Sequence, residues 1–507
     1  MQEMISLFQG LATVVDPYNF VLMSIGIVLG LVVGLLPGLG GANGIAILLP
    51  LTFSMNPTSG IIMLASIYWG SLFGGAISSI LFNIPGCSWS VATTFDGYPM
   101  AQRGRAAEAL TASFTASFIG AFFAVLVITF LAPLVARFAL RFGPPEFFAV
   151  MLLTFCSFIA TGKEPPLKVI ASMMLGFALA AIGLDLVTGD LRLTFGSSEA
   201  LRGVHFLVAV IGLFGIGEIL LTMEQGLAFK GKSAKINLRV VLQTWAEMPR
   251  YWWTILRSAL IGCWMGITPG GATPASFMSY GLAKRFSKRG NEFGKGEIEG
   301  DYAPETGNNA AGTSALLPML TLGIPGSPTA AVLLGGLMIW GLQPGPLLFT
   351  EQKDFVWGLI ASMYVANLVA LLIVLTTVPY LAAILRIPFS IIAPIIIAVC
   401  SIGAYTIANE FGDVLYMLFF GVVGYVFKKL QYPLAPLVLA LVLGGTAESS
   451  FRQALLMSQG SLTIFWANPL VATMVTLALL MLCWPLITAL LARLKARRPA
   501  VPAAPAE

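Results

Sequence analysis

Charged residues are scarce in this sequence. Only 10% of the 507 residues are Asp, Glu, Lys or Arg, whereas soluble domains carry about 25%. Hydrophobic residues make up 57% of the chain, and the mean hydropathy is +0.88. This balance excludes an ordinary soluble domain and indicates an integral membrane protein.

Residues typical of metal and redox sites are also few. The five cysteines are scattered without a CxxC pair and His205 is the lone histidine, so neither a disulfide framework nor a transition-metal site is expected. An intramembrane protease is disfavoured, because His205 has no GxS motif near it and Glu410 stands where a GxGD motif needs glycine. We therefore expect a protein that is not an enzyme and holds no cofactor.

Charge-free runs are long. No charged residue or histidine lies between Asp16 and Asp96, and none lies between Arg452 and Arg493. One membrane crossing needs about 20 apolar residues, so each run holds more than one. The pattern predicts an all-α polytopic membrane protein with about ten to twelve transmembrane helices plus re-entrant or broken ones. Residues 1–17 lack a positive leading region and are expected to form an amphipathic lead-in rather than a cleaved signal peptide.

The chain reads as two copies of one half. "LLPGLGG" (35–41) resembles "ITPGGAT" (267–273), and "FNIPGCSWSVA" (82–92) resembles "LGIPGSPTAAV" (322–332), at offsets of 232 and 240 residues. Two weaker matches follow in the same order. The expected organisation is a first transmembrane repeat over 18–225, a cytoplasmic linker over 226–254, a second repeat over 255–492 and a cytoplasmic tail over 493–507.

Basic residues predict the orientation. They cluster in the linker, in residues 284–295 and in the tail, and the positive-inside rule places all three in the cytoplasm. The net charge of +5 is explained in this way, so no nucleic-acid partner is expected. Segment 258–283 would then enter and leave from inside, while its counterpart 18–60 would enter from outside. This is the arrangement of two inverted-topology repeats.

The two Pro-Gly breaks are the first candidate site. Irregular backbone at membrane depth is tolerated only where it is buried in protein or lines a cavity. The alternative is that the glycines only allow close helix packing. The residues singled out here are Gly38, Gly40, Gly41, Asn43, Gly270, Gly271 and Thr273.

Uncharged polar residues in segments 68–99 and 300–331 are the second candidate. Their hydroxyls and amides suit a polar small molecule and a hard cation, although a bond from a hydroxyl to its own helix is the common alternative. Predicted substrate ligands are Gly40, Gly41, Asn43, Gly270, Gly271, Thr273, Asn308, Asn309 and Ser314. Predicted cation ligands are Gly38, Asn43, Ser78, Asn83, Thr306, Asn309 and Thr313.

These motifs carry a family resemblance over nearly the whole chain. "PGLGGAN", "NIPG" with the later "DGYP", "PGGATP", "APETGNNAAGTSALLP" and "GIPG" with "GLQPGP" resemble TctA, the large membrane subunit of tripartite tricarboxylate transporters. The resemblance implies a sodium-dependent importer of citrate or a related carboxylate in the bacterial inner membrane. It also implies a small membrane subunit (TctB), a periplasmic solute-binding protein (TctC) and, as a possibility, a homo-oligomeric complex.

In such a transporter the helix breaks are expected to form the anion-binding site. Backbone N–H groups at helix N-termini bind anions, so the segments after the breaks suit a carboxylate without a fixed positive charge. Importing a divalent or trivalent anion against the membrane potential costs on the order of 5–10 kcal/mol, which cotransported cations can supply. A passive channel or a non-transporting scaffold remains the alternative.

Overall fold

A computed structural model describes residues 2–36, 39–161, 165–185, 188–196, 199–225, 236–268, 271–384 and 389–496. Helices make up 82% of the described residues. The first ten helices are α1 (Gln2–Val15), α2 (Pro17–Leu35), α3 (Gly40–Leu48), α4 (Pro57–Phe82), α5 (Thr94–Gln102), α6 (Ala106–Ala139), α7 (Pro144–Thr161), α8 (Pro166–Ala180), α9 (Phe206–Val210) and α10 (Gly217–Gln225).

The second group begins within the predicted linker. It comprises α11 (Leu238–Glu247), α12 (Trp252–Ile267), α13 (Ala272–Phe286), α14 (Glu299–Ser314), α15 (Leu316–Leu322), α16 (Pro328–Ile339), α17 (Leu348–Glu351), α18 (Lys353–Ile384), α19 (Phe389–Ala408), α20 (Phe411–Lys429), α21 (Leu434–Met457), α22 (Ile464–Ala467) and α23 (Pro469–Ala496).

Short irregular elements join the helices. Single 3₁₀ turns cover Leu49–Thr52, Ser88–Ser90, Glu199–Arg202, Met248–Tyr251 and Gly290–Glu292, and a π-helical turn, Ile211–Ile216, connects α9 to α10. The described sheet is one antiparallel pair, β1 (Gly183–Leu184) with β2 (Leu191–Arg192), in which Gly183 faces Arg192.

Eight described helices are long and apolar enough to cross a membrane. They are Pro17–Leu35, Pro57–Phe82, Ala106–Ala139, Phe206–Glu224, Lys353–Ile384, Ser390–Ile407, Phe411–Lys429 and Leu434–Met457. The all-α polytopic prediction is confirmed. Reaching ten to twelve crossings would require the shorter apolar helices, such as Pro144–Ala160 and Pro469–Cys483, to contribute as well.

Polar caps followed by proline define where three of the helices begin. Asp16, Asn56 and Ser327 each accept a hydrogen bond from a backbone N–H two or three residues further on, and each precedes a proline. Proline suits the first helical position because the N–H it lacks would have no partner there. The starts of α2, α4 and α16 are thus encoded locally.

Helix α4 is the buried centre of the molecule. All of its apolar window is buried, and it packs against α2, α3, α5, α6, α14, α16 and α18. A helix that is apolar on every face requires such an interior position. The elements that follow the two Pro-Gly breaks are thereby arranged around α4 and its neighbour α14.

The two halves share a close helix crossing. In the first half α2 crosses α4 through "GLVVG" (30–34), and in the second α12 crosses α14 through "GCWMG" (262–266). A Cβ at Gly30 or Gly34 would lie 2.2 Å from the carbonyl oxygen of Ile67 or Ser71, respectively. At Gly262 and Gly266 the corresponding distances are 2.4 Å to Gly307 and 2.3 Å to Ala311. Each crossing depends on glycines spaced four apart.

A second match lies at the "IPG" segments. Asn83 ends α4 with φ 57°, and Gly323 ends α15 with φ 72°. In both places the next residue, an isoleucine, donates its N–H to the carbonyl six positions back, at 3.4 Å after α4 and 3.2 Å after α15. The offsets found in the sequence therefore also relate backbone contacts, while the inverted orientation of the halves stays a prediction.

The predicted linker is partly helical. Residues 226–235 lie outside the described residues, but α11 packs on α6, and the Trp245 indole N–H donates to the Thr115 hydroxyl at 2.8 Å. The lead-in forms α1, which packs against α18. Residues 497–507 of the predicted tail also lie outside the described part.

Candidate functional site

The two helix breaks meet at one cavity. It has a volume of about 530 Å³, and residues from both halves line it: Leu39–Asn43 and Gly271–Pro274 beside the breaks, Ser88, Trp89 and Val91, Gly326–Thr329, and Tyr68, Phe158, Val169, Pro433, Ala435 and Pro436. Among the residues that the structure describes, this lining contains no charged side chain. The volume lies within the range of small-molecule sites, about 300–1,000 Å³.

The first turns of three helices line this cavity. These helices are α3, α13 and α16, with 9, 15 and 12 residues. The N–H groups of a first turn have no partner within their own helix, and the helix dipole adds partial positive charge there. At α16 Pro328 has no N–H and Ser327 already accepts from Ala330, so α3 and α13 supply most of the free donors, which suit an anion. The Trp89 indole N–H, which also lies at the cavity, has no hydrogen-bond partner among the described residues.

Glycines shape both breaks. Gly40 has φ 51° and Gly271 has φ 74°, a left-handed region that favours glycine, and an added Cβ would meet open space at either position. Gly41 differs, because a Cβ there would lie 2.6 Å from the Ser71 hydroxyl oxygen. Gly40 and Gly271 thus present backbone to the cavity, and Gly41 allows α3 to approach α4.

Different contacts hold the two breaks. The Asn43 amide donates to Glu218 Oε2 at 3.5 Å, and Glu218 in turn forms an ion pair with Lys428. In the second half the Thr273 hydroxyl lies 2.8 Å from the Ser88 hydroxyl. Sequence reasoning placed no Lys or Arg near the candidate regions. The lining agrees with that expectation, but a buried ion pair lies directly behind Asn43.

The structure separates the predicted ligands into two groups. Gly40, Gly41, Asn43, Gly271 and Thr273 line the cavity, whereas Gly38 and Gly270 lie outside the described residues. The other predicted ligands do not line it: Ser78, Asn83, Thr306, Asn308, Asn309, Thr313 and Ser314. The predicted single site between the breaks and the Asn308-Asn309 pair is therefore two separate places in the fold.

Most of the second group makes contacts inside the protein. Ser78 and Thr306 donate to carbonyls of their own helices, and Ser314 contacts Cys263 O at 3.3 Å. Thr313 accepts from the Trp69 indole at 3.3 Å. Asn83, the left-handed residue after α4, is exposed. These positions fit the alternative of back-bonding and helix capping.

Sequence reasoning missed three buried carboxylates, two on α14 and one on the neighbouring helix α5. Asp96, Asp301 and Glu305 are fully buried. Ser113 and Ser117 of α6 donate to Asp301 and Glu305, each at 2.9 Å. The signal was present, since residues 301, 305 and 309 share one helix face.

The linker contains a match to a nucleotide-binding motif. Residues 226–233 fit the phosphate-binding pattern GxxxxGK[ST]. A functional phosphate loop follows a β-strand and opens a helix. Here the match follows helix α10 directly, and its own residues lie outside the described part. The preceding element thus argues for a chance match.

The fold and the cavity define a class of protein, a polytopic membrane protein in which paired broken helices surround a cavity of small-molecule size. A family model described as "Tripartite tricarboxylate transporter TctA family" matches residues 20–439. The chain belongs to the TctA family, as the resemblance in its motifs predicted.

Two relatives come from Agrobacterium vitis. An "uncharacterized 52.8 kDa protein in TAR-I ttuC' 3'region" is 36% identical over 484 residues, 94% of this chain and 95% of the relative. An "uncharacterized protein in TAR-II ttuC' 3'region" is 39% identical over 238 residues, 47% of this chain and 97% of the relative. No solved structure matches the chain.

Proposed function

We propose that this chain is the large permease subunit of a binding-protein-dependent secondary transporter that imports carboxylates under a sodium gradient. The observation that carries the proposal is the cavity of about 530 Å³, which the first turns of three helices line and whose described lining residues include no charged side chain. Backbone donors can hold a carboxylate there and leave the empty site uncharged, which lowers the cost of exposing it to either side of the membrane.

Family membership supports the remaining parts of the proposal. The partners are a TctB-like membrane subunit and a TctC-like periplasmic binding protein, and the location is a bacterial inner membrane. The halves are arranged as inverted repeats with the linker in the cytoplasm. A cysteine placed at Lys232 and labelled only from the periplasm would contradict this orientation.

Transport in proteoliposomes tests the function. The chain is reconstituted with both partners, and uptake of citrate and related di- and monocarboxylates is measured with an imposed sodium gradient. We expect saturable uptake that needs sodium and shows counterflow. Uptake that is independent of sodium and lacks counterflow would indicate a passive channel, and a complete lack of flux would favour a scaffold.

A glycine variant locates the site within the same assay. Gly271→Ala keeps space for the new methyl group but strains a left-handed backbone, by about 1–3 kcal/mol. The first turn of α13 would then shift, and we expect the apparent carboxylate affinity to fall about tenfold, as ~1.4 kcal/mol corresponds to one decade. Gly104→Ala is the matched control, since Gly104 has φ 79° and open space but lies outside the cavity lining. Equal carboxylate affinities in the two variants would show that the binding site lies elsewhere.

A further inference from the structure

Glu305 is a buried carboxylate without a basic partner. It lies on α14 and is fully buried, and none of the ion pairs found in the described residues includes it. Its oxygens accept from the Thr93 hydroxyl, from the Ser117 hydroxyl at 2.9 Å and from the Asn309 amide at 3.5 Å. Neutral donors reduce the cost of burying this charge but do not cancel it.

The neighbouring carboxylates, Asp96 and Asp301, have the same sign of charge as Glu305 and cannot neutralise it. Asp96 accepts from the Tyr280 hydroxyl at 2.9 Å and from three backbone N–H groups, so its charge is well solvated by donors. Asp301 has one hydroxyl donor, and its Oδ1 has no partner among the described residues. Of the titratable side chains on the elements packed around Glu305, Cys87 and Asp301 interact electrostatically with it, and Asp96 interacts with Asp301.

An unpaired oxygen lies beside Glu305. Asn309 is fully buried, and its amide nitrogen contacts Asn308 Oδ1 at 2.5 Å, Ser117 Oγ at 2.8 Å and the Glu305 carbonyl at 3.1 Å. The backbone carbonyl and the carboxylate of Glu305 can only accept, so they favour the orientation in which the Asn309 amide nitrogen faces them. Its Oδ1 then has no donor among the described residues, a costly state inside a protein.

We propose that Glu305 is the carboxylate ligand of a monovalent, oxygen-coordinated cation, and that this cation is the coupling sodium ion. Asn309 Oδ1 and the hydroxyl oxygens of Thr93 and Ser117 complete the ligands, since a hydroxyl can rotate to offer a lone pair. One bound positive charge neutralises Glu305. The assignment of the cation as sodium rests on the proposed function. The ion site would lie apart from the cavity proposed to bind the carboxylate.

The donor chemistry selects the class of ion. Carboxylate, amide and hydroxyl oxygens are hard ligands, which disfavour copper, zinc and iron. Calcium sites gather several carboxylates, and no group of three or more His, Cys, Asp or Glu in the described residues could hold a metal ion. A proton would neutralise Glu305 as well, but it would leave Asn309 Oδ1 unpaired.

Direct sodium binding tests the site without any transport. The full-length chain in lipid nanodiscs is titrated with radioactive sodium, with potassium and choline as competitors, and its thermal unfolding is followed in parallel. We expect saturable binding that choline does not displace. Glu305→Gln should weaken it at least tenfold, whereas Ser117→Ala, which removes one hydroxyl, should weaken it about threefold to tenfold.

Glu299→Gln is the matched control. Glu299 is also a buried carboxylate on α14 and also accepts from two hydroxyls, those of Thr254 and Ser287, but it lies at the start of the helix. It should bind sodium as the wild type does. Should Glu305→Gln insert poorly, Ser117→Ala against Glu299→Gln decides the question.

The outcomes separate this inference from the proposed function. Glu305→Gln and Ser117→Ala proteins that bind sodium like the wild type would overturn the site even if sodium-driven uptake is observed. Wild-type protein that binds a proton at Glu305 but no sodium would overturn it too. Sodium binding lost in Glu305→Gln, in a protein that moves no carboxylate, would preserve the site and reject the function.

In the wild type, lowering the pH should weaken sodium binding, by at most about tenfold per pH unit once the carboxyl is protonated.

Discussion

The first and second helix breaks have similar backbones but different anchors. Each follows a helix that crosses its neighbour through glycines, and each presents a glycine with positive φ to the cavity. Behind the first break lies a buried ion pair, Glu218–Lys428, reached through Asn43. Behind the second lies a neutral hydroxyl pair, Ser88 with Thr273. The two breaks thus share backbone geometry but differ in the side chains that hold them.

The difference gives the two sides of the cavity different rigidity and charge. An ion pair formed by residues from two different spans ties α3 to α10 and α20, immediately after the π-helical turn Ile211–Ile216. Such turns occur often at functional sites. A hydroxyl pair, in contrast, exchanges readily with a bound anion because either oxygen can donate. We therefore expect the first break to be anchored and the second to adapt to the substrate.

Breaking the ion pair should have the largest effect. Lys428→Met or Glu218→Gln alone leaves one buried charge without its partner, a loss of about 3–5 kcal/mol. The double variant removes both charges and should recover much of that stability. The exposed pair Lys429–Glu224 joins the same two helices and is the matched control, worth about 0–1 kcal/mol.

Thermal unfolding in nanodiscs with a double-mutant cycle measures these terms. The pair is misassigned if either single variant at Glu218 or Lys428 unfolds like its control at Glu224 or Lys429. It is also misassigned if the double variant loses the sum of both single effects, since that would mean the two charges act independently.

Equal effects are expected at the two glycine crossings. Gly34→Val and Gly266→Val each place a side chain against backbone carbonyls, at 2.2 and 2.3 Å, which no rotamer change relieves. Overpacking of this kind costs about 1–3 kcal/mol or more. The yield of monodisperse protein should fall in both variants, whereas Gly281→Val, with open space on α13, should keep it. A large loss in one half only would show that the crossings are not equivalent.

Local signals made much of this architecture predictable. Long apolar runs predicted the spans, and the Pro-Gly motifs predicted breaks that do line a common cavity at Gly40, Gly41, Asn43, Gly271 and Thr273. These features depend on neighbouring residues in the chain, so composition and spacing contain them. The glycines at 30, 34, 262 and 266 were also visible as small-xxx-small patterns.

Long-range placement was not predictable from the same signals. Glu218 and Lys428 are far apart in sequence, and nothing local indicates that they meet behind Asn43. Whether a hydroxyl such as that of Thr306 lines a cavity or bonds to its own helix depends on the rotation of that helix in the bundle. Glu305 could have been found, because its one-turn spacing from Asp301 and Asn309 marks one polar face.

The hydroxyl pair at the second break should give the smallest effect. Thr273→Val keeps the shape of the side chain but removes the oxygen that lies 2.8 Å from Ser88 Oγ. One such hydrogen bond contributes about 0.5–1.5 kcal/mol to stability, so unfolding should change little. If the second break adapts to substrate, the apparent carboxylate affinity should fall by a similar free energy, about threefold to tenfold. Thr463→Val, which removes an exposed hydroxyl pair with Ser461, is the control and should leave uptake unchanged. The opposite result would be wild-type affinity in Thr273→Val and weakened affinity in an Asn43→Leu protein that remains folded. It would show that the first, anchored break contacts the substrate and the second does not.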